Sequence, residues 1–196
     1  LQSRGLGDVY KRQDMTDKNV SIMNIGSMGY LPQVFKKIEN EKKLNIVYLG
    51  GSITMGCNAT KTELRYVDRS AKWWQTNFPD AEISYFNAGI GATTSQFGVA
   101  RVQEHVLDKQ PDLVFVEFSV NDSSSPLFME TYESLVRRLL KAESVKAVVL
   151  INNLFYDTGT NAQGIHNAIG LHYDLPIVSV RNYIFPEIQL GNVCLA

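Results

Sequence analysis

The feature that most restricts the fold of this chain is a set of five short apolar, β-rich runs separated by segments of helical periodicity. The runs are NIVYLG (45–50), EISYFNAG (82–89), DLVFVEFSV (112–120), AVVLINNLF (147–155) and PIVSVR (176–181). The first, third and fourth are almost continuously apolar, as strands covered on both faces are. Between the runs, residues 66–78 stop at Pro79 and residues 94–109 stop short of Pro111. Residues 130–142 set Tyr132, Leu135, Leu139 and Leu140 at helical spacing, and 161–173 lead into the fifth run. A short helix over 31–38 precedes the first run. Strand and helix alternating five times predict an α/β fold, a parallel sheet with helices on both faces.

Length and composition narrow the function classes. A chain of 196 residues suits one domain with a real core. With a formal net charge of -1 there is no basic field to attract nucleic acid. The apolar runs are strand-length, well short of a membrane span. Residues 1–13, LQSRGLGDVYKRQ, lack an initial Met, an apolar signal core and any periodicity; they resemble adapter-derived sequence and are set aside as non-native. Residues 14–44 read as a lead-in and 45–196 as the functional domain. The end, IQLGNVCLA, shows no closing helix or strand, which suggests a domain cut short. Cys57 and Cys194 are isolated and imply neither a disulfide framework nor a metal knuckle.

In open parallel sheets, function collects in the loops that leave the carboxyl ends of strands. Here those loops read GGSITMG, NAGIGATTS and SVNDSSS. Any one of them is explained by helix capping and tolerance of positive φ. Three in succession favour a site. Ser52, after Gly50 and Gly51, suits either phosphate binding or attack on an acyl carbonyl beside oriented N–H donors. The glycine-rich dinucleotide and P-loop patterns are absent, and Thr54 breaks the G-x-S-x-G elbow. A loop binding FMN remains a rival for Ser52, but leaves VND unexplained. The Asn121 carboxamide can donate to an oxyanion, a role whose loss typically costs about 10²–10³ in rate. Gly91 can offer a backbone N–H, and Asp122 suits a cap on the helix that follows it. Glu117 falls inside the third run, where alternation suggests a satisfied, buried structural group. Trp73 and Trp74 suit packing of a helix on the sheet better than sugar binding. Asp68, Glu63 and Arg69 are within reach of a substrate, without a specific signal.

Together the three loops resemble the SGNH (GDSL-type) hydrolases, in a bacterial carbohydrate-esterase-like branch. The resemblance runs from about residue 31 to the end and includes VFKKIENEKKLNIVYLGGSIT and PDLVFVEFSVND. It implies a flavodoxin-like three-layer α/β/α sandwich with a five-stranded parallel sheet in the order 2-1-3-4-5. It also implies a serine esterase that needs no metal or cofactor and acts on carboxylic esters, often acetylated carbohydrates. Ser52 matches the nucleophile and a backbone oxyanion donor, Gly91 the glycine donor, and Asn121 the side-chain donor. Gly-Gly-Ser-Ile stands where members have Gly-Asp-Ser-Leu, and Ser119 where many have glycine. The larger departure is the histidine. Members carry D-x-x-H after the fifth strand, yet no histidine follows Arg181. His105 sits mid-helix and His172 falls at the wrong end of the fifth strand. His166, early in the fourth helix, is the one substitute within reach of the site. The resemblance thus implies a copy truncated before its histidine–acid pair and crippled as a catalyst. A flavodoxin-like FMN binder and a non-catalytic carbohydrate-binding relative are the alternatives.

Overall fold

The structure, a computed structural model, describes residues 18–193; the segment 1–13 and Cys194 lie outside the described residues. Its strands are β1 (Ile22–Asn24), β2 (Lys43–Gly50), β3 (Glu82–Gly89), β4 (Leu113–Glu117), β5 (Ala147–Asn152) and β6 (Ile177–Ser179). Its α-helices are α1 (Leu31–Glu41), α2 (Ser52–Met55), α3 (Tyr66–Asn77), α4 (Ser95–His105), α5 (Pro126–Leu140), α6 (Gln163–His172) and α7 (Val180–Gln189). The six strands form one sheet in the order β1-β6-β5-β4-β2-β3. All pairings are parallel except that of β1 with β6. The five expected strands therefore stand in the order 2-1-3-4-5, and β1 is an unforeseen sixth strand, antiparallel at one edge.

Both faces of the central strands are covered, which is why their sequences are apolar without alternation. On one face Val47, Leu49, Val114, Val116, Val148 and Leu150 pack against α4, α5 and α6. Tyr132, Leu135, Val136 and Leu139 form the buried stripe of α5 at helical spacing. On the other face Leu44, Ile46, Tyr48 and Val149 meet Val34 and Ile38 of α1 and Val67 and Trp74 of α3. Helix α1 starts with proline in its first turn, where the missing N–H costs nothing, and ends at Lys42 in the left-handed region (φ 52°). Trp74 packs as expected, whereas Trp73 is 51% exposed and lies edge-on to the Trp74 ring.

Element boundaries moved where polar contacts override hydrophobicity. The third run leaves the strand at Glu117, because the N–H groups of Asn121 and Asp122 both turn back to Phe118 O. The fourth ends at Asn152 and the fifth at Ser179, whose hydroxyl caps α7 by accepting from Asn182 N. That helix includes the start of IQLGNVCLA, so a helix closes the described part of the domain. The lead-in is joined to the sheet: Asn24 Nδ2 donates to Leu175 O at 2.9 Å, and Tyr30 Oη to Tyr173 O at 3.0 Å.

Candidate active site

The strand register brings the three loops together. Gly50, at the end of β2, is paired with Gly89 on one side and Glu117 on the other. Gly51 N–H then donates to Glu117 O at 3.3 Å, and Ile90 N–H to Gly50 O at 3.1 Å. Ser52 follows as the first residue of α2, partly exposed. A Cβ placed on Gly51 would stand 2.6 Å from Asn121 Oδ1 and 3.3 Å from Thr93 O. Those contacts come from the third and second loops, so all three loops meet at Gly51, and a side chain there would have to displace the Asn121 carboxamide. Gly91 faces the same short helix, where an added Cβ would lie 3.4 Å from Met55 Cε. Ser52, Gly91 and Asn121 therefore occupy one edge of the sheet.

The orientation of Asn121 follows from its neighbours. Its Oδ1 is buried without a hydrogen-bond partner among the described residues, on the side facing Gly51. The next residue anchors this loop. Asp122 is buried, accepts Ser95 N–H at 2.9 Å through Oδ1, and meets His166 Nε2 at 3.0 Å through Oδ2. Asp122 was expected to cap the helix after it. It instead caps α4, whose own N-cap residue Thr94 makes no side-chain cap bond. This tertiary cap ties the third loop to the second, and residue spacing gives no sign of it.

Two further polar residues brace the same loop from below. Ser119 Oγ accepts Asn153 N–H at 2.7 Å and donates to Glu117 Oε1 at 3.2 Å. Glu117 is fully buried, but Oε2 has no partner among the described residues, so the group is only half satisfied. Burial, opposed by the Ser119 bonds, pushes its carboxyl up to about 7. Tyr66 stands over the same region, its Oη 2.9 Å from Thr54 Oγ1, and burial raises its phenol. Asp68 is engaged by Arg65, at 2.6 and 3.1 Å, and by Tyr85 at 2.9 Å.

The histidines are held elsewhere. His166, the one histidine that could approach the edge, is held inside the fold. Its ring is fully buried, stacked 3.6 Å from the Tyr132 ring, with Nε2 on Asp122 and Nδ1 buried without a partner among the described residues. Burial lowers its pKa against the opposing pull of Asp122. His105 Nδ1 lies 3.2 Å from Arg101 Nη1. A guanidinium can only donate, so that nitrogen accepts. His172 sits at the end of α6, edge-on to Tyr173. Among the described residues no group of three or more His, Cys, Asp or Glu could hold a metal ion, and no helix is long and apolar enough to cross a membrane.

A cleft of about 570 Å³ opens beside this edge, lined by Ile53, Tyr66, Phe115, Ile151, Asn153 and Tyr156 among others. Ser52, Gly91 and Asn121 are not among its lining residues. Three loops converge at Gly51, and the cleft is an adjoining, mainly apolar space.

This strand-edge serine, in a doubly covered parallel sheet, belongs to a recognised class. Residues 48–177 match the family of GDSL-like lipases and acylhydrolases. The chain belongs to that family of carboxylic ester hydrolases, which sets aside the flavin-binding reading of the Ser52 loop. Among solved structures, a two-domain esterase active on acetylated mannans is 46% identical, with a TM-score of 0.89. The match covers 91% of this chain and 48% of that esterase, so the chain spans about half its length. The same esterase co-crystallised with mannopentaose matches equally well, over 49% of its length. An acetylxylan esterase from Geobacillus stearothermophilus shares the fold, with 18% identity, a TM-score of 0.63, and coverage of 74% of this chain and 80% of its own. No protein of curated function gives a significant sequence match.

Proposed function

We propose that the chain is a carbohydrate esterase that removes acyl groups, acetyl above all, from a mannan-type glycan. The observation that carries this reading is the meeting of three loops at Gly51, beside the Asn121 carboxamide, with Ser52 next in the chain and partly exposed. The activity on acetylated mannans of a two-domain esterase 46% identical points to the substrate class. In this reading Ser52 Oγ attacks the ester carbonyl, and its proton passes to a base. The N–H groups of Ser52 and Gly91 and Asn121 Nδ2 hold the oxyanion. The sugar alkoxide leaves with a proton, and water releases acetate from the acyl-serine. His105 and His166 are committed to Arg101 and Asp122, so neither is assigned as that base.

Serine hydrolysis without an engaged histidine is slow, retaining about 10³–10⁴ over water. Acetate release from acetylated mannan, measured with and without added imidazole as a surrogate base, tests the reading. We expect slow release that imidazole accelerates, and its loss in Ser52→Ala. Equal release by Ser52→Ala would overturn the nucleophile. Binding of acetylated mannan with no Ser52-dependent release, even with imidazole, would instead mark a non-catalytic carbohydrate-binding relative.

A further inference from the structure

Arg101 is buried, 6% exposed, on α4 directly under the loops of the site. Its Nη1 donates to Ala88 O at 2.7 Å and its Nη2 to Gly50 O at 3.1 Å. These are carbonyls at the carboxyl ends of β3 and β2. The Ser52 loop leaves from the second and the Gly91 loop from the first. The guanidinium forms no ion pair among the described residues, and its Nε is buried without a partner there. Phe97 covers it from outside, with Cζ 5.8 Å from the ring centroid. Burial pulls its pKa down to about 10, so it stays charged at neutral pH. A cation kept from water costs free energy unless its donors are used. Here they are spent on two strand ends and, through Nη1, on His105 Nδ1 one helical turn away.

We propose that Arg101 is a positioning residue, a two-pronged clamp that sets the spacing between the Ser52 and Gly91 loops. Its effect on catalysis rests on the esterase reading above; the clamp itself does not. Gly50 O already accepts Ile90 N–H, so the guanidinium completes a bridge in which both loops hang from one rigid plane. Oxyanion donors work only when fixed in advance, and small misplacements are costly. Lysine cannot replace this group, because one ammonium lacks the flat fork that spans two carbonyls.

The test compares the chain with Arg101→Lys and Arg101→Met by amide hydrogen exchange and by acetate release. We expect Ile90 and residues 51–57 to exchange about tenfold faster in both variants, while β4 and β5 keep their protection. Turnover should fall by about tenfold or more, with KM within about twofold. Unchanged exchange at Ile90, loss of protection spread evenly over the sheet, or full recovery in Arg101→Lys would each overturn the clamp. If Arg101→Met does not fold, Arg101→Lys carries the test alone. Local loosening in the variants, combined with wild-type turnover that ignores Ser52, would keep the clamp and reject the esterase reading.

Discussion

The carboxyl edge of the sheet is braced on both faces, and the two braces differ in kind. On the face of α4, α5 and α6, Asp122 joins the third loop to two helices through Ser95 N–H and His166. On the opposite face, the side chains of Glu117 and Ser119 join β4 to the loop after β5, and one carboxylate oxygen stays unpartnered among the described residues. The first face ties its loop to two helices, although His166 Nδ1 and Arg101 Nε are buried there without a partner among the described residues. The second borders the 570 Å³ cleft and holds a carboxyl displaced upward by burial. The contrast teaches that the site is held mainly from the helix-rich face. The cleft side is the less cross-linked of the two.

Asp122→Ala is the sharpest way to break this contrast. It removes the α4 cap and leaves His166 buried without its acceptor. We expect a loss of about 3 kcal/mol, a fall in Tm of roughly 6–12 °C, read by thermal unfolding. A fall of less than about 1 kcal/mol would place the main support elsewhere.

The next effect is one of pH. His166 has a folded pKa below its unfolded value, so the unfolded chain takes up the proton first. Its contribution is lost as pH falls below about 6.5, the ordinary histidine value. Glu117 has a folded pKa raised to about 7 from 4.5, so its contribution is present below 4.5 and lost as pH rises through 7. Between pH 5 and 7 the two braces oppose each other. Glu117→Gln should remove the second slope, so that Tm rises with pH across this window relative to wild type, by on the order of 5 °C. His166→Gln should tilt the balance the other way. Parallel Tm–pH curves for wild type and both variants would reject the opposition.

The smallest effect belongs to the rim of the open side. Tyr156 is exposed at the cleft. Tyr156→Ala should change stability by less than about 0.5 kcal/mol in denaturant unfolding. A larger loss would show that the cleft is closed in solution.

Much of this was legible in the sequence for simple reasons. Val47, Leu49, Val114, Val116, Val148 and Leu150 announce doubly covered strands because both of their faces need apolar partners. The loops at Ser52, Gly91 and Asn121 stood out because they collect small polar residues at one sheet edge. What escaped depends on partners distant in sequence. Strand β1 is three residues long and largely exposed, so no periodicity marks it; pairing with β6 makes it a strand. Helix α7 carries Pro186 internally, which reads as a break. Asp122 caps a helix earlier in the chain, and Arg101 reaches carbonyls, which leave no trace in a residue pattern.

The pairing of β1 with β6 also bears on how the molecule assembles. Ile22 finds Val178 only after all of the parallel strands have been synthesised. The strands between them can zip together through neighbouring crossovers, while this contact demands closure of the longest loop in the sheet. Until it forms, the outer edge of β6 is an open ladder available to another chain. Closing that register covers the β6 edge and leaves β3 as the edge strand on the far side of the sheet.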